Sequence, residues 1–284
     1  MDIKAAIASL PSLKLTVDAY GLMAKKALGQ NFLLDTNITA KIIKLSLAAQ
    51  NRNSFAGSHV FEIGPGPGGL TRAVLQADPE KMTVIELDDR CIKIMQDIKN
   101  KVGAGFEIIN QDALAFNCGF AETLSKDIVS NLPYNISVPL LTKWLSEIKK
   151  YRSLTLMFQK EVADRIMAPT KTKDYGRISI LAQLQCKITK VFDLNPECFT
   201  PAPKIWSTVL VFEPLEAPLN AKQITELEKL TAQCFSMRRK MIRQSLKNIK
   251  NLDELCADIG ILPTMRPEEI TPEQFLKLAT NLNS

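Results

Sequence analysis

Five short apolar runs, most of them separated by stretches long enough for a crossover helix, constrain this chain more than any other feature. They read HVFEI (59–63), MTVIEL (82–87), FEII (106–109), KDIVS (126–130) and LTLMF (154–158). Alternation of strand and helix at this spacing predicts an α/β fold, with a mostly parallel sheet covered by helices on both faces. Further on, ITKVFDL (188–194) and STVLVFE (207–213) are joined by NPECFTPAPKIW, which is proline-rich and too short for a crossover helix. These two are expected as an antiparallel pair. Past EPLEAPLN (213–220) the periodicity turns helical, with helices expected over 221–235, 238–250, 252–259 and 272–281. The last of these has Thr271-Pro272 as N-cap and first-turn proline. The expected organisation is an N-terminal extension over 1–24, an α/β domain over 25–213 and a small helical domain over 214–284.

Composition narrows the chemistry. The 284 residues include six cysteines with no Cys-x-x-Cys and one histidine, His59, at the start of an apolar strand. That argues against a zinc site and against a Ser-His-Asp or Cys-His machine. No apolar run approaches the roughly 20 residues of a membrane span. The start lacks the pattern of a secretory or import signal, so the cytoplasm is the expected compartment. The formal net charge of +6 is concentrated in FSMRRKMIRQSLKNIK (235–250), where Arg238, Arg239, Lys240, Arg243, Lys247 and Lys250 meet no acid. Such a run is either a solvated helix face or a contact for phosphate backbones.

Between the first run and its helix lies EIGPGPGGLT, in which Gly64, Gly66 and Gly69 satisfy G-x-G-x-x-G. Glycines permit a tight turn and let a ligand lie against bare backbone. Glu86, 22 positions after Gly64, ends the second strand where a carboxylate can accept hydrogen bonds from both ribose hydroxyls of an adenosine. Loop and acid together point to a nucleoside cofactor. Pro65 and Pro67 remove two backbone donors that a pyrophosphate would want, which leans toward S-adenosylmethionine over a dinucleotide. Asp112, after the third strand, suits either the adenine amino group or a helix N-cap.

The fourth run ends in Asn131-Leu132-Pro133-Tyr134. An exocyclic aromatic amine is a poor nucleophile because its lone pair is delocalised into the ring. Two acceptors aimed at its hydrogens make the nitrogen more tetrahedral, and the Asn131 side-chain carbonyl and the Leu132 backbone carbonyl are suited to this. Pro133 stiffens the turn, and Tyr134 offers a face on which a flipped-out base can stack. Taken alone, the tetrapeptide also fits a proline turn with a half-buried tyrosine.

With these motifs in order, the chain resembles the small-subunit ribosomal RNA adenine dimethyltransferases from about residue 25 to its end. KKALGQNFL, EIGPGPGGLT, VIELD, NLPYNIS, FQKEVADRI, YGRISILAQ, CFTPAPK and FSMRRKMIRQSLKN carry the resemblance. It implies a Rossmann-like class I methyltransferase sheet with an antiparallel last strand, and S-adenosylmethionine held by Asn31, Leu33, Gly64, Glu86, Asp112 and Asn131. It also implies a target adenine held by Asn131, Leu132, Pro133 and Tyr134, with Phe199 on its other face. Read without the resemblance, Phe199 is a loop aromatic equally suited to plug the core. The implied reaction places two methyl groups on each of two adjacent adenosines near the 3′ end of small-subunit (16S) RNA. One departure is Trp206, which stands after Pro-x-Pro-Lys where the family commonly has an acid.

The resemblance makes the small ribosomal subunit and its RNA the expected partner, with no metal and no membrane, for a monomer. It also assigns Lys25, Lys26, Arg238, Arg239, Lys240, Arg243 and Lys247 to RNA phosphates. Two alternatives are a large-subunit RNA adenine methylase, which shares the glycine loop and Asn-x-Pro-Tyr, and a ribosome-assembly factor acting mainly by binding.

Overall fold

All five apolar runs form strands within one residue of their expected bounds. The structure, a computed structural model, describes residues 3–22, 30–119 and 123–282. Its strands are β1 (Phe32–Leu33), β2 (Ser58–Ile63), β3 (Lys81–Glu86), β4 (Phe106–Asn110), β5 (Ser125–Asn131), β6 (Ser153–Gln159), β7 (Cys186–Leu194), β8 (Phe199–Thr200) and β9 (Ser207–Pro214). Seven of them build one sheet in the order β4-β3-β2-β5-β6-β9-β7, while β1 and β8 form a separate antiparallel pair. The pairs from β4 to β6 are parallel, and β9 runs antiparallel to β6. Every residue of β2 is buried, and so are all but the ends of β5. Burial on both faces is why these central strands read as apolar runs rather than alternating ones.

From β2 the chain moves outward through β3 to β4, then returns to the other side of β2 as β5. The strand order therefore reverses at the β2/β5 seam, and the carboxyl ends of those two strands border the crevice where α/β sheets bind ligands. Ser130 donates to the Ile63 carbonyl at 2.6 Å and ties the two ends together.

The amino edge is anchored differently. Asp127 of β5, fully buried, accepts from Arg52 at 3.1 and 3.2 Å, from Arg152 at 2.7 Å and from Ser153 at 2.6 Å. Removing the two cations would strand the Asp127 charge at a buried site, so this cluster resists change. His59 is also structural: its Nε2 lies 2.7 Å from Thr83 Oγ1, and its ring stacks on Phe61.

The first twenty residues, to which sequence patterning assigns nothing, contain the helices Ile3–Ala8 and Leu13–Ala19. Ser12 caps the second by accepting from the Leu15 amide. Ile7 and Leu22 join the core, and the buried Arg72 donates to the Pro11 carbonyl at 2.6 Å.

The chain divides into two compact units. The first spans residues 1–143, 149–160 and 189–213, and the second spans 144–148, 161–188 and 214–284. The break after 213 coincides with the change in periodicity. The grouping of 161–188 with the tail has a packing cause that composition does not display. Tyr175, fully buried, donates to the Ile270 carbonyl at 2.9 Å, and the rings of Tyr175, Phe235 and Phe275 lie in series about 6 Å apart.

The helices expected at 221–235, 252–259 and 272–281 are present as Ala221–Ser236, Leu252–Asp258 and Pro272–Asn281. The basic helix expected over 238–250 is not; only Ile242–Ser245 makes a turn. The amides of Ile242 and Arg243 donate to Met265 and Pro263 instead of to residues four earlier, which breaks the helical ladder.

Gly68 caps the helix Gly69–Gln76 in the left-handed region at φ 86°. A Cβ on Gly69 would lie 2.5 Å from the Leu33 carbonyl oxygen and 3.2 Å from Leu13 Cδ1. Gly69→Ala is therefore expected to lower stability by about 1–3 kcal/mol through overpacking, measured by denaturant unfolding. Unchanged stability would show that β1 can move away from this helix.

Candidate active site

A cavity of about 240 Å³ opens at the carboxyl edge of the sheet. Its wall comes from 30–33, the loop 62–67 with Gly69 and Leu70, 85–87, 111–113 and 131–136. Gly64 and Gly66 adopt φ of 66° and 56°, a region that side chains rarely enter. At Gly66 space is tight as well, since a Cβ would come within 3.0 Å of the Phe32 ring; at Gly64 it would make ordinary contact with the Pro133 ring at 3.7 Å. The glycine loop thus lies directly against both the 31–33 segment and the Asn-Leu-Pro-Tyr turn.

Glu86 ends β3 almost fully buried, with Oε1 accepting from the amides of Leu87 at 2.7 Å and Asp88 at 2.9 Å. Burial raises its carboxyl above the ordinary value, against the pull of those two amides and of the Gly66 amide. Asp112 lines the cavity while its Oδ1 accepts from the Leu114 amide at 2.9 Å, so it both caps a turn and faces the site. The cap and the adenine contact are therefore compatible readings of one carboxylate.

The Asn131 amide is oriented by a tether: Nδ2 donates to the Asn31 carbonyl at 3.1 Å, which leaves Oδ1 as the acceptor. The Leu132 side chain is buried, and its carbonyl accepts no hydrogen bond within the turn. Tyr134 is half-buried, its hydroxyl 2.9 Å from Ser207 Oγ. Burial raises its pKa and the Ser207 bond opposes the rise, so the ring is presented as a neutral phenol.

Of the expected site residues, Asn31, Leu33, Gly64, Glu86, Asp112, Asn131, Leu132, Pro133 and Tyr134 converge on this one cavity. Phe199 does not line it. Only 3% exposed, it pairs with Leu33 across β8 and β1 and packs into the core, the plug role that a loop aromatic can equally fill. Lys25 and Lys26 lie outside the described residues. In the basic segment, Arg238 donates to Glu268 at 2.9 Å and to the Thr172 carbonyl at 3.2 Å, and Arg243 reaches Asp253 at 3.4 Å. Arg239, Lys240 and Lys247 are exposed.

Patterning overlooks Glu62, a carboxyl one residue before the end of β2 that lines the cavity at 1% exposure. A charged residue inside VFEI is the signal that could have marked it. Burial pushes its pKa from an ordinary 4.5 up to about 8; the Thr71 hydroxyl, donating at 2.6 Å, opposes this, and the Glu86 charge adds to it. The carboxyl is thus protonated at neutral pH and lays no second charge beside Glu86. Because the folded state holds this proton more tightly than the unfolded chain, the associated stability is full below about pH 4.5 and is lost as pH rises through about 8. Glu62→Gln, which stays neutral, is expected to remove a slope of up to about 1.4 kcal/mol per pH unit between pH 6 and 8 in denaturant unfolding. Parallel pH profiles for the two proteins would refute a protonated Glu62.

Comparison with known proteins places this geometry. A family model described as ribosomal RNA adenine dimethylase matches residues 21–284. The chain is 41% identical over 278 residues to ribosomal RNA small subunit methyltransferase A of Paramagnetospirillum magneticum, covering 98% of this chain and 97% of that one. It is 44% identical over 278 residues to the protein of the same name from Cereibacter sphaeroides, covering 97% and 98%. Among solved structures, a dimethyladenosine transferase from Plasmodium falciparum superposes with a TM-score of 0.71 at 28% identity, over 88% of this chain and 96% of that one. A loop, an acid and a tethered asparagine converge on one cavity in a chain that matches these relatives over almost its whole length, and the chain belongs to the ribosomal RNA adenine dimethylase family.

Proposed function

We propose that this protein transfers methyl groups from S-adenosylmethionine to the exocyclic amines of two adjacent adenosines near the 3′ end of small-subunit ribosomal RNA. The observation that carries the reading is the Asn131 tether, which commits Oδ1 as an acceptor beside the Leu132 carbonyl at the cavity wall. The relatives' names, ribosomal RNA small subunit methyltransferase A, support a target in the small subunit.

The cavity's donor set suits S-adenosylmethionine. Glu86 would hold the ribose hydroxyls and Asp112 the adenine, while Pro65 and Pro67 withhold the amides that a pyrophosphate would need. When bound, the cofactor supplies an electrophilic sulfonium methyl. The protein positions the acceptor: the Asn131 and Leu132 carbonyls would accept hydrogen bonds from the amine and draw the nitrogen lone pair out of the ring, and the methylated nitrogen would then release one proton to water. Tyr134, fixed at its hydroxyl by Ser207, stacks on the base, and Phe199 reaches the opposite face only if the β1/β8 pair yields. Holding nucleophile and methyl in line provides most of the acceleration without a general base.

Purified protein incubated with labelled S-adenosylmethionine and unmethylated small subunits should yield dimethyladenosine at two adjacent positions, read by mass spectrometry. Asn131→Ala should lower kcat by about 100-fold or more, the usual cost of one misplaced polar contact at a reacting centre. Label in large-subunit RNA alone would overturn the assignment of target.

The second unit is proposed to dock the RNA through Arg239, Lys240 and Lys247, whereas Arg238 and Arg243 serve internal contacts. Replacing the first three by Ala should weaken RNA binding and reduce the slope of log K against log salt by about 2, with cofactor affinity unchanged. An unchanged slope would remove these residues from the interface.

A further inference from the structure

Trp206 takes no part in the cavity or the core. Its side chain is 47% exposed, and it is the only aromatic among the large hydrophobic side chains exposed in the described residues. The other tryptophan, Trp144, is 4% exposed.

The position of Trp206 is fixed by its neighbours. The Lys160 amide donates to its carbonyl at 2.8 Å, and Ser207, the next residue, holds the Tyr134 hydroxyl at 2.9 Å. In the sheet, Asn131 of β5 pairs with Met157 of β6, and Gln159 of β6 pairs with Ser207 of β9. Trp206 therefore sits just beyond the carboxyl edge, the edge that carries Asn131, two strands away. At the usual strand geometry that is about 10 Å across the strands and about 10 Å further along them, or about 14 Å in all.

Both signs of charge are present: Lys204 is exposed two residues earlier, Lys160 begins the segment bonded to Trp206, and Asp193 accepts from Thr208 two residues later. An exposed indole with Lys204 close by, next in sequence to the residue that holds Tyr134, matches the pairing of aromatic platforms and positive charge that holds single-stranded nucleic acid. An apolar protein partner would be served by a wider hydrophobic surface, and Ile205, at 36% exposure, is the one other large apolar side chain exposed nearby in sequence.

We infer that Trp206 is a stacking platform for a nucleobase flanking the target adenosine, so that the RNA strand is gripped on both sides of the extruded base. The inference rests on the RNA reading proposed above and assigns to it a residue that contacts substrate outside the cavity.

The test compares wild type, Trp206→Phe and Trp206→Ala on unmethylated small subunits. Trp206→Ala should raise KM by about 5- to 100-fold, the range set by the loss of one base–aromatic stack. Its kcat, S-adenosylmethionine affinity and melting temperature should match wild type, and Trp206→Phe should recover most of the loss. The iodide-quenchable emission of Trp206, taken as wild type minus Trp206→Phe, should be shielded when subunits are added. Equal KM in all three proteins, or emission that stays quenchable in the complex, would overturn the platform while leaving the methyltransferase reading intact. A loss in Trp206→Ala accompanied by weaker cofactor binding or a lower melting temperature would make the residue structural and also overturn it. If wild type itself methylates no subunit, the functional reading fails and the platform fails with it.

Discussion

The seam between β2 and β5 is the constraint on which the rest of the site depends. Both strands run parallel and buried, and they end side by side, where one becomes the glycine loop and the other the Asn-Leu-Pro-Tyr turn. Ser130 locks the two ends together through the Ile63 carbonyl. With that lock in place, Pro133 rests over Gly64, whose φ of 66° suits glycine, and a ligand on the loop lies beside the Asn131 and Leu132 carbonyls of the turn. Chemistry at this edge follows from the reversal of strand order, which leaves a crevice that neither strand's connection fills.

Around that seam the protein uses small polar groups as fixings rather than as reactants. Asn31 orients Asn131, Ser207 holds Tyr134, and Thr71 satisfies Glu62. Each contact lies within the protein itself and fixes the Asn131 amide and the Tyr134 ring in orientation. The protonated Glu62 belongs to this scheme: an ionised carboxyl there would repel Glu86 across the cavity floor.

Much of this was legible in the residues. Central strands are buried on both faces, so their apolar runs mark them plainly, and a glycine loop with an acid 22 positions later needs one architecture to make sense. What escaped depends on contacts between distant segments. Two-residue strands such as β1 and β8 carry no periodicity, so the burial of Phe199 against Leu33 could not be read from CFTPAPK. The segment 238–250 has helical composition, but its amides find partners near 263–265, and tertiary hydrogen bonding overrode local preference. Arg238 looks like one cation among six until Glu268, thirty positions away, is seen beside it.

Strand β5 holds its anchor and its working end in a single piece. Asp127, clasped by two guanidinium groups, and Asn131, the acceptor, are four residues apart, or about 13 Å along a stiff buried strand. The strand behaves as a short lever whose fulcrum lies on the opposite rim of the sheet from its load. A lesion at the fulcrum would leave every cavity-lining residue in place by identity and yet shift the Asn131 amide at the cavity wall. Inactive variants of this protein are therefore to be sought at the far rim as well as at the cavity, and damage there would pass for a catalytic defect in any assay that measures turnover alone.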